Sequence, residues 1–409
     1  MATIQKNQIT KLAWLCTATY VISYLTRINF GAVVSNIAEN TGISNTDLAL
    51  APTVLFITYG VGQLISGYLG DKVQPKFLVG AGLFATALMN FFLPFCSNAN
   101  AMAVLWGING MAQAFMWPPI VKLMLSTMTG EEYKKHTFKV LFGSMFATMS
   151  VYLISPLLVS LFTWKGVFYF ASICGAFGLV VWVLRCPIID LTSKATTNEN
   201  GENKKSANAP FPLVLIVIFF AIICMGALRD GVTTWLPSYI VKEYNLGSQT
   251  AIFTGAVIPL FTMACYLITS KLYKTKLKNP MLCAGVIFAV GLVSAGILSL
   301  LTDIGANNVV VSVLLSSLLA GSMHGVNLIL ISMLPSYFRK NGNTSLISGL
   351  LNCFVYVGSA LSTYLFPLFA SNGDWRTTIF IWFVIAVVGT AICLLTISPW
   401  KKFEKKLND

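Results

Sequence analysis

About twelve stretches of this chain are apolar over a length that matches the ~30 Å hydrocarbon layer of a bilayer at ~1.5 Å of helical rise per residue. They run near 12–37, 48–70, 77–95, 100–121, 140–161, 166–184, 211–240, 250–270, 279–301, 308–336, 345–369 and 377–398. Backbone buried in hydrocarbon must satisfy its own N–H and C=O groups, so runs of this kind fold as membrane-crossing helices. Charge agrees: Asp, Glu, Lys and Arg make up 10% of the residues, where a soluble domain carries about a quarter. The first run is too long for the core of a cleavable signal peptide, and no small-residue cleavage site follows it.

A net charge of +13 would suit a nucleic-acid partner, but its distribution excludes one. Of the 27 basic residues, 22 fall in segments that share one side when both termini lie on that side. The opposite loops hold only Lys165, Lys242 and Arg376. This positive-inside pattern puts both termini in the cytoplasm, so the excess charge orients the chain. The nine cysteines are scattered, with no CxxC or Cys/His cluster, and read as small buried apolar residues. No nucleotide-binding glycine loop, catalytic triad or metal spacing occurs. No enzyme and no cofactor is expected, and gradients must supply the energy.

The longest hydrophilic interruption, 186–210, is polar and of low complexity, and reads as a flexible cytoplasmic linker. It separates 1–185 from 211–409, about six spans each, which gives the halves the same orientation, as parallel repeats. The expected fold is an all-α membrane protein, twelve transmembrane helices in two six-helix bundles. Its setting is the cell membrane, a bacterial inner membrane, and it acts as a monomer.

Arg27 is the only charge in the first run. A guanidinium cannot escape a low-dielectric site by losing its proton. Its cost in a membrane helix runs from ~2.5–3.5 to ~10–17 kcal/mol, so something must offset it. Tyr20, Tyr24 and Arg27, spaced i, i+4, i+7, share one helical face and read as the wall of a water-filled cavity. Run seven repeats the oddity: Arg229 lies about 18 residues into it, and Arg27 about 15 into run one. Snorkelling to the outer headgroups is the blander alternative, but both helices continue beyond their arginine.

Neighbours on a helix point ~100° apart, which argues against a direct pair between Arg229 and Asp230. Asp230 then either offsets nearby positive charge or titrates and couples protons. Thr233 shares the Arg229 face, whereas Trp235 points about 120° away and suits a helix seam. Tyr59 with Gln63, and Asn352 with Tyr356, form i, i+4 pairs on runs two and eleven. His324, inside run ten, is a site residue or a hydrogen-bonded packing histidine. His136, in a Lys-rich loop, should be solvated.

Run two ends in Gly67-Tyr68-Leu69-Gly70-Asp71-Lys72, where the glycines would let helices approach and the charges sit at the inner surface. This resembles the G-x-L-x-D-R/K loop of the major facilitator superfamily and suggests an inner gate. Run four holds Gln113-Ala114-Phe115-Met116-Trp117-Pro118-Pro119, whose prolines must kink the helix. Trp117 either packs at that kink or lines the cavity. Together with Tyr-x-x-x-Tyr-x-x-Arg-x-Asn-Phe (20–30) and Leu-Arg-x-Gly-x-x-x-Trp-x-Pro-x-Tyr (228–239), these motifs resemble the organophosphate:phosphate antiporters. That group includes glycerol-3-phosphate and hexose-6-phosphate permeases, and the resemblance spans essentially the whole chain.

The resemblance implies that Arg27 and Arg229 clamp the substrate phosphate, with Tyr20, Tyr24 and Tyr59 beside the anion and Tyr356 in the opposite wall. The chain departs from the family in four places: Gln63 replaces a second-span lysine, Thr148 a fifth-span histidine and Ala320 a tenth-span tyrosine, and Asp230 is an extra intramembrane acid. Two guanidiniums repel across an empty cavity, and a dianion between them accepts bidentate hydrogen bonds from both. The empty carrier should then reorient slowly, giving exchange of an organic phosphate for inorganic phosphate. Alternatives are a proton-coupled symporter of a carboxylate-type anion and a non-transporting sugar-phosphate sensor. Expected partners are a small organic anion, inorganic phosphate or protons, and the lipid bilayer.

Overall fold

The computed structural model describes residues 6–70, 72–189, 213–305, 308–334, 337, 344–370 and 375–408. Among these, all regular structure is helical. The first half holds α1 (Lys6–Thr41), α2 (Asn45–Leu48), α3 (Leu50–Gly70), α4 (Pro75–Phe92), α5 (Ala99–Ala114), α6 (Trp117–Thr127) and α7 (Gly130–Arg185). The second holds α8 (Leu213–Tyr244), α9 (Ser248–Thr254), α10 (Val257–Thr275), α11 (Pro280–Asp303) and α12 (Val309–Asn327). A π-helical stretch, Leu328–Met333, precedes α13 (Thr344–Phe369), α14 (Arg376–Leu395) and α15 (Ile397–Asn408).

Among the described residues, 9 helical stretches are long and apolar enough to cross a membrane. One of them, Lys135–Arg185, is two spans, because its backbone leaves the helix at Phe162 and Thr163. Thr163 has φ 60°, a left-handed conformation that β-branched residues rarely take, and there the chain turns back. Adding α1 and the pair α5–α6 brings the spans to twelve, as the apolar runs require. The proline motif makes a full helix break rather than a kink. α5 stops at Ala114, two 3₁₀-type bonds follow at Phe115 and Met116, and α6 restarts at Trp117. Pro118 falls in the first turn of α6, where a missing N–H costs nothing.

Within the first six spans α1 packs on α7, α3 on α5 and α4 on α7; in the last six α8 packs on α13, α10 on α12 and α11 on α14. The same pattern therefore occurs twice. The halves meet through α3 with α13, α1 with α8, and α7 with α10. At the end of the bundle remote from the N-terminus, hydroxyls and amides join them. Ser35 Oγ lies 2.9 Å from Ser238 Oγ, and Thr53 Oγ1 lies 3.1 Å from Thr363 Oγ1. Asn36 Nδ2 donates to Ser248 Oγ (2.6 Å), which donates to Glu39 Oε2 (2.7 Å).

Close helix approach comes from glycines other than the pair in the loop motif. A Cβ on Gly226 would overlap the Val355 carbonyl oxygen, and one on Gly358 the Ile223 carbonyl oxygen, so α8 and α13 touch backbone to backbone. At Gly67 and Gly70 a Cβ would meet nothing within 4 Å, contrary to expectation, so these two glycines are not what brings helices close. His136 is also not solvated: it is buried at the start of α7. Asp71, and the expected linker from 190 onward, lie outside the described residues.

Candidate functional site

The base of Arg27 is fixed by a polar cluster buried between α1, α4 and α5. Thr26 is its hub. The Thr26 carbonyl accepts from Asn90 Nδ2 (3.0 Å) and Asn109 Nδ2 (3.1 Å), and its hydroxyl accepts from Gln113 Nε2 (2.9 Å). Gln113 also donates to Thr86 Oγ1 (2.9 Å) and accepts from Ser23 Oγ (2.6 Å), while Asn29 Nδ2 donates to Asn90 Oδ1 (2.8 Å). Unmet amides in a membrane interior are costly, so this network pins α1 to its neighbours at the level of Arg27. Of these residues only Gln113, through the proline motif, and Asn29, through the motif at 20–30, stood out beforehand.

Arg27 itself points into a tyrosine box. Its guanidinium carbon lies 4.3 Å from the Tyr24 ring centre and 5.1 Å from that of Tyr59. Tyr20 packs edge-on to Tyr24 at 5.2 Å and stacks obliquely on Trp117 at 4.7 Å. Tyr59 reaches across the seam to Tyr356 of α13, with ring centres 4.6 Å apart. Among the described residues no carboxylate pairs with Arg27, and none accepts a hydrogen bond from it. A desolvated cation–π contact contributes about 2 kcal/mol. Two such contacts meet the lower estimates of the burial cost and fall far short of the higher ones. Among the described residues, the five N–H donors of the fork find no acceptor.

Arg229 is in the opposite condition. Its Nε donates to Asp230 Oδ1 (2.8 Å), its Nη2 to Asp230 Oδ2 (2.7 Å) and its Nη1 to Asn327 Oδ1 (2.9 Å). Ser359 Oγ, brought close by the glycine crossing of α8 and α13, donates to Asp230 Oδ2 at 2.5 Å. Adjacent side chains do leave the helix in different directions, but the long arginine stem folds its fork back onto the neighbouring carboxylate. The expected repulsion between two bare guanidiniums is thus reduced to one bare cation and one neutralised pair. Tyr356, in contact with the Tyr59 ring beneath Arg27, lies one turn before Ser359, the partner of Asp230, so α13 links the surroundings of the two arginines.

The remaining expected residues take varied positions. Gln63, one turn from Tyr59, is half-buried, and its Nε2 is enclosed without a hydrogen-bond partner among the described residues. The Thr233 hydroxyl is used by its own helix, donating to the Arg229 carbonyl at 2.6 Å, and Tyr152 Oη donates to the Thr233 carbonyl at 3.1 Å. Asn352 is half-buried one turn before Tyr356. His324, half-buried on α12, lies one turn before Asn327, the acceptor of Arg229. Trp235 is fully buried, its Nε1 donating to the Thr363 carbonyl at 3.0 Å, as suits a helix seam. At the inner motif Lys72 bonds Tyr68 one turn back, and Lys122 Nζ donates to the Gly70 carbonyl at 2.5 Å.

The family model described as Major Facilitator Superfamily matches residues 16–342. This chain belongs to the Major Facilitator Superfamily. It is 25% identical over 420 residues to the glycerol-3-phosphate transporter of Bacillus subtilis (strain 168), covering 94% of this chain and 91% of that one. A shorter match, 35% identical over 105 residues, is to the membrane sensor protein UhpC of Escherichia coli (strain K12), covering 26% of this chain and 24% of that one. Among solved structures, the inward-facing, unoccupied crystal structure of a bacterial homolog to the human lysosomal transporter Spinster superposes with a TM-score of 0.74. It covers 98% of this chain and 99% of that one at 10% identity, a likeness of fold alone. As a superfamily member, the protein is a multi-pass membrane transporter, and the resemblance to organophosphate carriers extends to whole-chain similarity.

Proposed function

We propose that this protein is a secondary carrier of an organic anion that works by alternating access, exchanging an organic phosphate for inorganic phosphate. The observation that carries this reading is Arg27, a half-buried permanent cation facing tyrosine rings with no carboxylate partner among the described residues. An anion is what that site lacks. The relative named a glycerol-3-phosphate transporter supports a phosphate ester as cargo. In this reading the halves 1–185 and 211–409, joined by the linker 186–210, rock as bodies, with both termini cytoplasmic and one copy sufficient.

The anion binds Arg27 bidentately and reaches the free donors of Arg229, so that both halves hold it at once. The contacts Ser35–Ser238 and Thr53–Thr363 close the mouth remote from the N-terminus and must break for it to open. Without cargo, reorientation has to move an uncompensated cation through a closing site, which favours exchange over net flow. Uptake into liposomes loaded with phosphate, compared with empty ones, tests the exchange; equal rates would refute it. The Arg229–Asp230 pair favours a second reading, proton-coupled symport of a carboxylate-type anion. Uptake that follows an imposed pH gradient, and ignores internal phosphate, would establish that one instead.

A further inference from the structure

The two arginines differ in what they can offer a ligand. Arg27 keeps its whole fork, whereas Arg229 commits three of its five N–H groups to Asp230 and Asn327, leaving two. Asp230 is held on two sides, by the fork of Arg229 and by Ser359 Oγ, so it is not a loose group that swings away when cargo arrives. The pair is also only 11% and 18% exposed, which limits screening by water. Formal charges at the site then sum to one positive unit: two from the arginines, less one from Asp230. His324 lies one turn before Asn327 on α12, and Tyr24, Tyr59 and Tyr356 form the aromatic wall around Arg27.

We propose that Asp230 sets the valence of the cargo, holding the site at a net charge of +1 so that it prefers monovalent oxyanions to divalent ones. The chemical class is a sugar acid or other carboxylate, or a phosphate ester in its singly charged form. A dianion would leave one negative charge uncompensated beside a carboxylate that cannot retreat. Asp230 acts here as a specificity-determining residue, working through the field it adds and through the Arg229 donors it occupies. The inference rests on the reading of Arg27 as an anion receptor.

Esters of fixed and different charge separate the possibilities. At pH 8 glucose 6-phosphate is a dianion, since the second proton of a phosphate ester leaves near pH 6, and glucose 6-sulfate remains a monoanion of the same shape. Dissociation constants for both, with gluconate as a monoanion bearing a planar carboxylate, are measured by thermal shift on the purified full chain. Wild type should bind the sulfate ester tighter than the phosphate ester, on the order of tenfold for one uncompensated charge in a partly screened site. Asp230→Asn should move that ratio toward the phosphate ester by at least a similar factor, and Asp230→Glu, which keeps the charge, should leave it in place. A wild-type preference for the phosphate ester, or an unchanged ratio in Asp230→Asn, would overturn the valence assignment while leaving the anion site intact. Should no anion of the three bind either protein, the anion-receptor reading fails and takes the inference with it. If Asp230→Asn does not fold, the wild-type ratio and Asp230→Glu still decide.

Discussion

Thr26 takes two amide donors on its carbonyl and a third on its hydroxyl, immediately before the residue that carries the site's free charge. Position and charge are therefore supplied by different residues. Removing the Asn109 amide strips Thr26 of one donor and Thr86 of its acceptor. Leaving buried polar groups unmet costs about 1–3 kcal/mol. We expect Asn109→Ala to lower the melting temperature in detergent and to reduce transport, with Arg27 untouched. An Asn109→Ala protein as stable and as active as wild type would show that the cluster does not hold α1 in place. At the same scale, Arg229 and Asp230 were legible as an unusual pair of intramembrane charges. Their direct contact was not, because it depends on arginine torsions and on partners 98 and 129 residues away, Asn327 and Ser359.

At the scale of the helices, the twelve spans could be read from apolar length alone because hydrocarbon thickness leaves little freedom. The glycines could not be read in the same way. The sequence offers 31 of them, and only tertiary contact reveals which lie at a crossing. Gly358 faces the Ile223 carbonyl, whereas Gly67 faces open space. Gly358→Ala should thus cost about 1–3 kcal/mol or more, as expected for overpacking, and should separate Ser359 from Asp230. Gly67→Ala should stay within about 0.5 kcal/mol, the usual range for a surface change. Thermal denaturation of the two variants side by side checks this, and equal losses would contradict the packing account. The break before Trp117 was legible as a disturbance from Pro118 and Pro119, but its form, a restarted helix seating Trp117 on Tyr20, required the neighbouring span.

For the molecule as a whole, the repeated contact pattern and the hydroxyl contacts at one end imply that transport requires the halves to part there. Cysteines in place of Ser35 and Ser238, whose oxygens lie 2.9 Å apart, should form a disulfide on oxidation. Uptake should fall to background when the bond forms and return on reduction; full uptake by cross-linked protein would exclude movement at that mouth. The duplication was legible because an arginine recurs at matching depth in runs one and seven, yet the inequality between the two sites was hidden. It arises from a single acidic residue with no counterpart beside Arg27, where Ile28 follows instead. The central claim is that the bare guanidinium of Arg27 receives the anion, and Arg27→Lys tests it most directly. An ammonium keeps the charge and loses the planar fork. Uptake by that variant in phosphate-loaded liposomes should drop at least about tenfold while its melting temperature holds near that of wild type. Uptake equal to wild type would contradict the account.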